Sequence, residues 1–190
     1  MKKKMIAAAT AALLLPTSIA TAAPASAAEK LDLEPYITVA AGKAPGFAGL
    51  AAVRVKNVGT ERYYGEFPAV SFRIEVKTED GPEGVDRLIT PGWFNGAYTR
   101  DLGFDPETST RTFETTLSNP VEKDGDKLIA NLNFGDGLTK EGRLKNYITV
   151  TQVGRLAGDT STDNDQNVDS RTDGNTVDEL GNNARTGGIF

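Results

Sequence analysis

An all-β chain folded as an antiparallel two-sheet sandwich is what this sequence predicts, on three observations. Apolar residues from Leu31 onward recur with period two, and no long stretch follows the helical period of about 3.6. The apolar runs are short, and clusters of Gly, Asp, Asn and Pro that suit chain reversal separate them. Each run is apolar on one face only, so it must bury that face against a second sheet. A small closed β-barrel satisfies the same pattern and is the alternative architecture.

The strands follow in chain order. Leu33 to Val39 opens the series, and a second run turns Ala51, Val53 and Val55 inward with Arg54 and Lys56 outward. Val70, Phe72, Ile74 and Val76 then alternate with Ser71, Arg73, Glu75 and Lys77. Val85 to Thr90, Tyr98 to Phe104 and Arg111 to Leu117 are rich in Thr, aromatic and β-branched residues. Leu128, Ala130, Leu132 and Phe134 read as inward, against Ile129, Asn131 and Asn133 outward. Asn146 to Arg155 completes a set of about eight, and Val168 to Thr172 can add a short edge strand. Asn57-Val-Gly59, Glu79-Asp-Gly-Pro82, Lys123-Asp-Gly-Asp126 and Gly135-Asp-Gly137 supply the turns. Tyr63 and Tyr64 are adjacent, so in an extended chain at most one of them faces solvent.

Residues 1–27 read as a secretory signal peptide. Lys2, Lys3 and Lys4 give the cationic start, Met5 to Leu15 the apolar stretch, and Ala25-Ser26-Ala27 a small-residue cleavage site before Ala28. Pro16 interrupts the apolar run well short of the roughly 20 residues that a membrane span needs. No cysteine follows it, which excludes a lipid-anchored lipoprotein, and no second apolar run or wall-sorting motif lies near the C-terminus. The product is expected to be released, or held at the cell surface without a covalent bond. Removing 27 of the 190 residues leaves 163, which suits a single core. The domain is expected over residues 28–173. From Gly158 the chain becomes acidic and poor in large apolar groups, and residues 174–190 read as a flexible polar tail.

The full chain carries a net charge of −5; without the three leader lysines it has 18 basic against 26 acidic residues. That balance argues against nucleic acid or anionic lipid as partners, since both need a cationic footprint. There is no histidine and no cysteine. Ser-His-Asp and Cys-His nucleophile systems are therefore excluded, as are zinc sites built on imidazole or thiolate. No phosphate-binding glycine loop is present. The chemistry left to an enzyme is a Ser-Lys dyad, for which the Ser-x-x-Lys signature is missing, or a carboxylate pair, as in glycoside hydrolysis, because spacing along the chain does not limit distance across a sandwich.

Two short motifs carry a family resemblance. Val53-Arg-Val-Lys-Asn-Val-Gly-Thr60 resembles the strand end of the cell-adhesion-related domains and similar immunoglobulin-like modules of prokaryotic secreted proteins. Asp163-Asn-Asp-Gln-Asn167 resembles the acidic loop before the final strand of such modules. The resemblance implies an immunoglobulin-like sandwich of seven to eight strands, non-catalytic, used at cell surfaces to bind an extracellular protein or glycan. It transfers no binding residue. The chain departs from those modules in having a single copy and a longer tail.

Two constellations are candidates for a site. Asp159, Asp163, Asp165, Asn167 and Asp169 offer oxygen ligands at a spacing from which several can converge on calcium, although the glycine and glutamate of the helix-loop-helix calcium pattern are missing. The same residues also read as a solvated acidic loop. Trp93, Phe94 and Tyr98 lie in and beside a loop bounded by glycine and proline, and the chain has no other tryptophan. Large aromatics usually fill cores, but Gly92 and Gly96 bracket the Trp93-Phe94 pair. Partial exposure is therefore expected, and Trp93, Phe94 and Tyr98 are the candidate ligand-binding residues, with Trp93 as a core residue the competing reading.

Overall fold

The computed structural model describes residues 30–39, 50–78, 92–133, 146–172 and 174–178. The leader with its cleavage site, the strand expected over Val85 to Thr90, Phe134, the turns at 79–82 and 135–137, and residues 179–190 lie outside the described residues. The described residues form ten strands and no helix, so no helix there is long and apolar enough to cross a membrane. In chain order the strands are β1 (Leu33–Val39), β2 (Leu50–Asn57), β3 (Ser71–Thr78), β4 (Trp93–Phe94) and β5 (Ala97–Asp105). They continue with β6 (Thr110–Leu117), β7 (Asp126–Asn133), β8 (Asn146–Gly154), β9 (Val168–Asp169) and β10 (Thr176–Asp178).

The strands make two separate sheets and not a closed barrel: β10-β1-β2-β7, and β4-β5-β6-β3-β8-β9. Every pairing is antiparallel except that of β10 on β1. The inward residues of both sheets meet in one core. Leu33, Ile37 and Val53 come from the first sheet, and Phe72, Ile74, Phe113 and Val150 from the second. Alternation along each strand places these residues, because a period of two keeps all apolar groups of a run on one face.

Two expectations need correction. The sequence puts Leu128 inside and Ile129 outside, but Ile129 is buried and Leu128 only half-buried. A β-bulge between Val53 and Arg54 sets Ile129 as an extra residue on β7, and from there the alternation flips. Lys127 thereby faces inward opposite Val55, where burial pulls its ammonium below the ordinary value. The tail expected from Gly174 also begins too early, since Thr176–Asp178 adds a parallel strand to an edge of β1 that would otherwise be bare.

The Asn57 to Gly59 turn shows why its residue types are needed. Asn57 is buried and its amide donates to the carbonyls of Glu61 (2.9 Å) and Val121 (3.0 Å), while its Oδ1 accepts from the Gly59 N–H. A Cβ on Gly59 would stand 2.6 Å from the Lys30 carbonyl oxygen, closer than real contacts allow. The same turn delivers Tyr63 to a backbone bridge with Val121, buried, while Tyr64 faces out.

Candidate binding site

Asn95 and Gly96 form the centre of the site by forming its turn. Their φ angles are 50° and 71°, both in the left-handed region, as a two-residue type I′ hairpin requires. Gly96 also lacks room for a side chain, because a Cβ would lie 2.3 Å from the Asn119 amide. The turn pairs Phe94 with Ala97 and Trp93 with Tyr98. Residues opposite one another on antiparallel strands share a face, so Trp93 and Tyr98 project outward together, with ring centroids 4.8 Å apart. Phe67, on the connection between β2 and β3, joins them at 6.0 Å from Trp93.

These rings sit in the open on a fixed base. Trp93 is 64% exposed and Phe67 50%. Beneath them, Asn95 Nδ2 donates to the Leu128 carbonyl (2.8 Å) across to the other sheet, and the N–H groups of Ser118 and Asn119 both donate to the Gly96 carbonyl. The hairpin is therefore held at three points, and its aromatic side chains need little ordering on contact with a ligand.

Beside the rings, Phe67, Pro68, Tyr98, Arg100, Glu114 and Thr116 line a hollow of about 360 Å³. A salt bridge from Arg100 to Glu114 (3.0 Å) bounds it. Farther along the same sheet face lie two adjoining hollows of about 400 and 490 Å³, which share Glu75, Asp105, Thr110 and Thr112. Tyr147 lines the last of them, with the Arg171 guanidinium 3.7 Å from its ring centroid. Asp105 accepts from Thr108 Oγ1 (2.6 Å) and from the Glu107 N–H (2.9 Å), and these bonds hold its carboxyl below the usual carboxylate range.

Of the three aromatic residues singled out in the sequence, the structure brings Trp93 and Tyr98 together and turns Phe94, half-buried, to the opposite side of the hairpin. The Asn-Gly pair was the signal for this geometry, since it specifies a hairpin and hence which neighbours share a face. Nothing in the sequence pointed to Phe67 and Pro68, which arrive through a loop of no regular period.

The acidic loop has a different organisation from either reading of its sequence. Asp159 and Asp165 are buried, and Arg155 lies between them: Nη1 is 3.3 Å from Asp159 Oδ1, and Nη2 is 2.8 Å from Asp165 Oδ2. Arg155 also donates to the Ser161 carbonyl. Tyr63 donates its hydroxyl proton to Asp159 Oδ2 (2.5 Å), and Gln152 Nε2 donates to both of them. Burial, and after it the bond to Asp159, push the Tyr63 phenol far above its ordinary value. Asp169 pairs instead with Arg171 (2.6 Å), which draws its carboxyl down, while Asp163 and Asn167 are exposed. The expected calcium donor set is thus divided: two carboxylates are bound by Arg155 and a third by Arg171. Among the described residues, no three acidic side chains gather as a cation site would require.

No protein-family model matches the chain, and no curated protein matches it in sequence.

Proposed function

We propose that this chain is a secreted, non-catalytic binding protein of the immunoglobulin-like type, exported by the leader in residues 1–27, that holds its ligand at the Phe67, Trp93 and Tyr98 platform. The observation that carries the reading is the exposure of Trp93, on a braced hairpin, and of Phe67 beside it, with the half-buried Tyr98 ring packed against the indole. The core does not need them, because Phe72 and Phe113 already fill it. Exposed aromatics in a cluster are costly to leave in water, and they are the side chains that dominate binding surfaces.

Co-sedimentation tests the reading. Purified protein is mixed with isolated bacterial cell walls and with insoluble polysaccharides, and bound material is compared with that of Trp93→Ala. The wild type should pellet and the variant should stay in solution at an unchanged melting temperature. Equal retention of both proteins, or retention of neither, overturns the proposal. N-terminal sequencing of the mature protein, expected to begin at Ala28, tests the export.

A further inference from the structure

We infer that the ligand is an electrically neutral polysaccharide chain, laid lengthwise along β6 on the outer face of the six-stranded sheet, from the aromatic platform to Tyr147. The inference rests on the platform being a binding site, and it adds what binds and how far the contact extends. The outward side chains of β6 mark the path: Thr116 and Glu114 line the aromatic hollow, and Thr112 and Thr110 line the two beyond it. Six residue steps of an extended strand cover about 20 Å, which is long enough for several sugar units in a row.

Charge selects the class of polymer. Among the described residues the cations on this face are Arg73, Lys77, Arg100 and Arg171, and the anions are Glu75, Asp105, Glu114 and Asp169, so these charges balance along the path. A polyanion or a polycation finds no complementary field here. The layout also inverts that of a protein interface, which has an apolar centre and a polar rim. Here the charged and hydroxyl groups lie in the middle, with the aromatic platform at one end and Tyr147, stacked on Arg171, at the other. An extended peptide adds to the edge of a sheet, whereas on this face the backbone groups of β6 are already paired with β3 and β5.

Sugar chemistry fits each part. Carboxylate and guanidinium groups present two acceptors or two donors side by side, which suits neighbouring hydroxyls, and threonine hydroxyls both donate and accept. Aromatic faces take the apolar C–H side of a pyranose ring.

The experiment is titration calorimetry with oligosaccharides from cellulose, chitin, mannan and xylan, each as monomer, dimer, tetramer and hexamer, with polygalacturonate as the charged control. At least one neutral series should gain about tenfold or more in affinity from dimer to hexamer. Thr112→Arg, which obstructs the middle of the path, should remove that gain, and Trp93→Ala should weaken both lengths. Thr149→Arg, on β8 across β3 from Thr112 and lining the same hollow, serves in its place should Thr112→Arg lose the wild-type melting transition. Affinity independent of length, or a preference for polygalacturonate, overturns the inference and leaves the platform standing. Capture on cell walls that depends on Trp93, with no oligosaccharide bound, also overturns it in favour of a protein partner. Failure of every ligand and surface removes the platform as well.

Discussion

Tyr63 and Phe67 stand four positions apart on one connection, between β2 and β3, and they end in opposite environments. Tyr63 is sealed in the interior with its hydroxyl bonded to Asp159 and Gln152, while Phe67 lies half in water against Trp93. Both belong to aromatic or polar assemblies that join distant parts of the chain. The difference lies in what each assembly does with its polar and apolar groups. Around Tyr63, charges are buried and paired; around Phe67, apolar rings are left uncovered on a rigid base. The first arrangement gives up solvation for fixed structure, and the second keeps apolar surface available for a ligand.

The largest expected effect breaks the buried side. Arg155→Ala leaves Asp159 and Asp165 inside without their counter-charge, which should cost about 3 to 5 kcal/mol in urea denaturation. Ligand affinity of the molecules that remain folded should not change. A cost below about 1 kcal/mol would mean that the cluster is not the lock described here.

Trp93→Ala is the mirror experiment. Its stability should stay within about 0.5 kcal/mol of wild type, while binding weakens by about 2 kcal/mol or more. Iodide should quench the fluorescence of the free protein readily, and ligand should protect it. A blue-shifted, unquenched emission would place the indole in the core and erase the contrast.

Tyr63→Phe sharpens the comparison at about 1.5 kcal/mol, because Asp159 and Gln152 lose a partner but keep others. Its pH dependence has a defined sign. The folded phenol is raised above its ordinary value of 10.0, so an unfolded chain gives up this proton first. The contribution is fully present below pH 10 and is lost as pH rises beyond it. Alkaline thermal melts of Tyr63→Phe should therefore fall less steeply than those of the wild type; parallel curves would remove Tyr63 from the lock.

Asp32→Asn gives the smallest change. Burial raises the Asp32 carboxyl, with repulsion from Asp159 and Asp165 adding to it, against a hydrogen bond from Asn164. A raised carboxyl costs stability once it is ionised, so the amide should gain stability at neutral pH, within about 0.5 kcal/mol after solvent screening. The gain should vanish below the ordinary value of 3.8, where both proteins are neutral at this position. A loss of stability at neutral pH would show that the Asn164 bond outweighs the burial.

How far the sequence could be read depended on the range of the interaction involved. Alternation is local, so β1, β3 and β6 are visible in single runs such as Val70 to Lys77. The bulge at Val53 and Arg54 is set by pairing between β2 and β7, and no property of residues 128–134 alone announces that Ile129 turns inward. The ion pairing within the acidic loop is hidden in the sequence for a related reason. Its five oxygen donors look alike in sequence, and only the fold brings Arg155 between two of them and Tyr63 onto one. The exposure of Trp93 was legible from its flanking glycines. Its pairing with Tyr98 was written in Asn95-Gly96, a local signal read as a loop although it specifies a hairpin.

The parallel seat of β10 on β1 has a mechanical consequence. Tension drawn from the chain ahead of β1 and from the chain beyond β10 acts on the two strands in opposite directions along their lengths. Because they run the same way, with Ile37 facing Thr176 and Val39 facing Asp178, such a pull shears the pair and loads its rungs together instead of peeling them one by one. A protein tethered at one end and dragged at the other would meet its resistance at this clasp, and single-molecule stretching should find its first yield there.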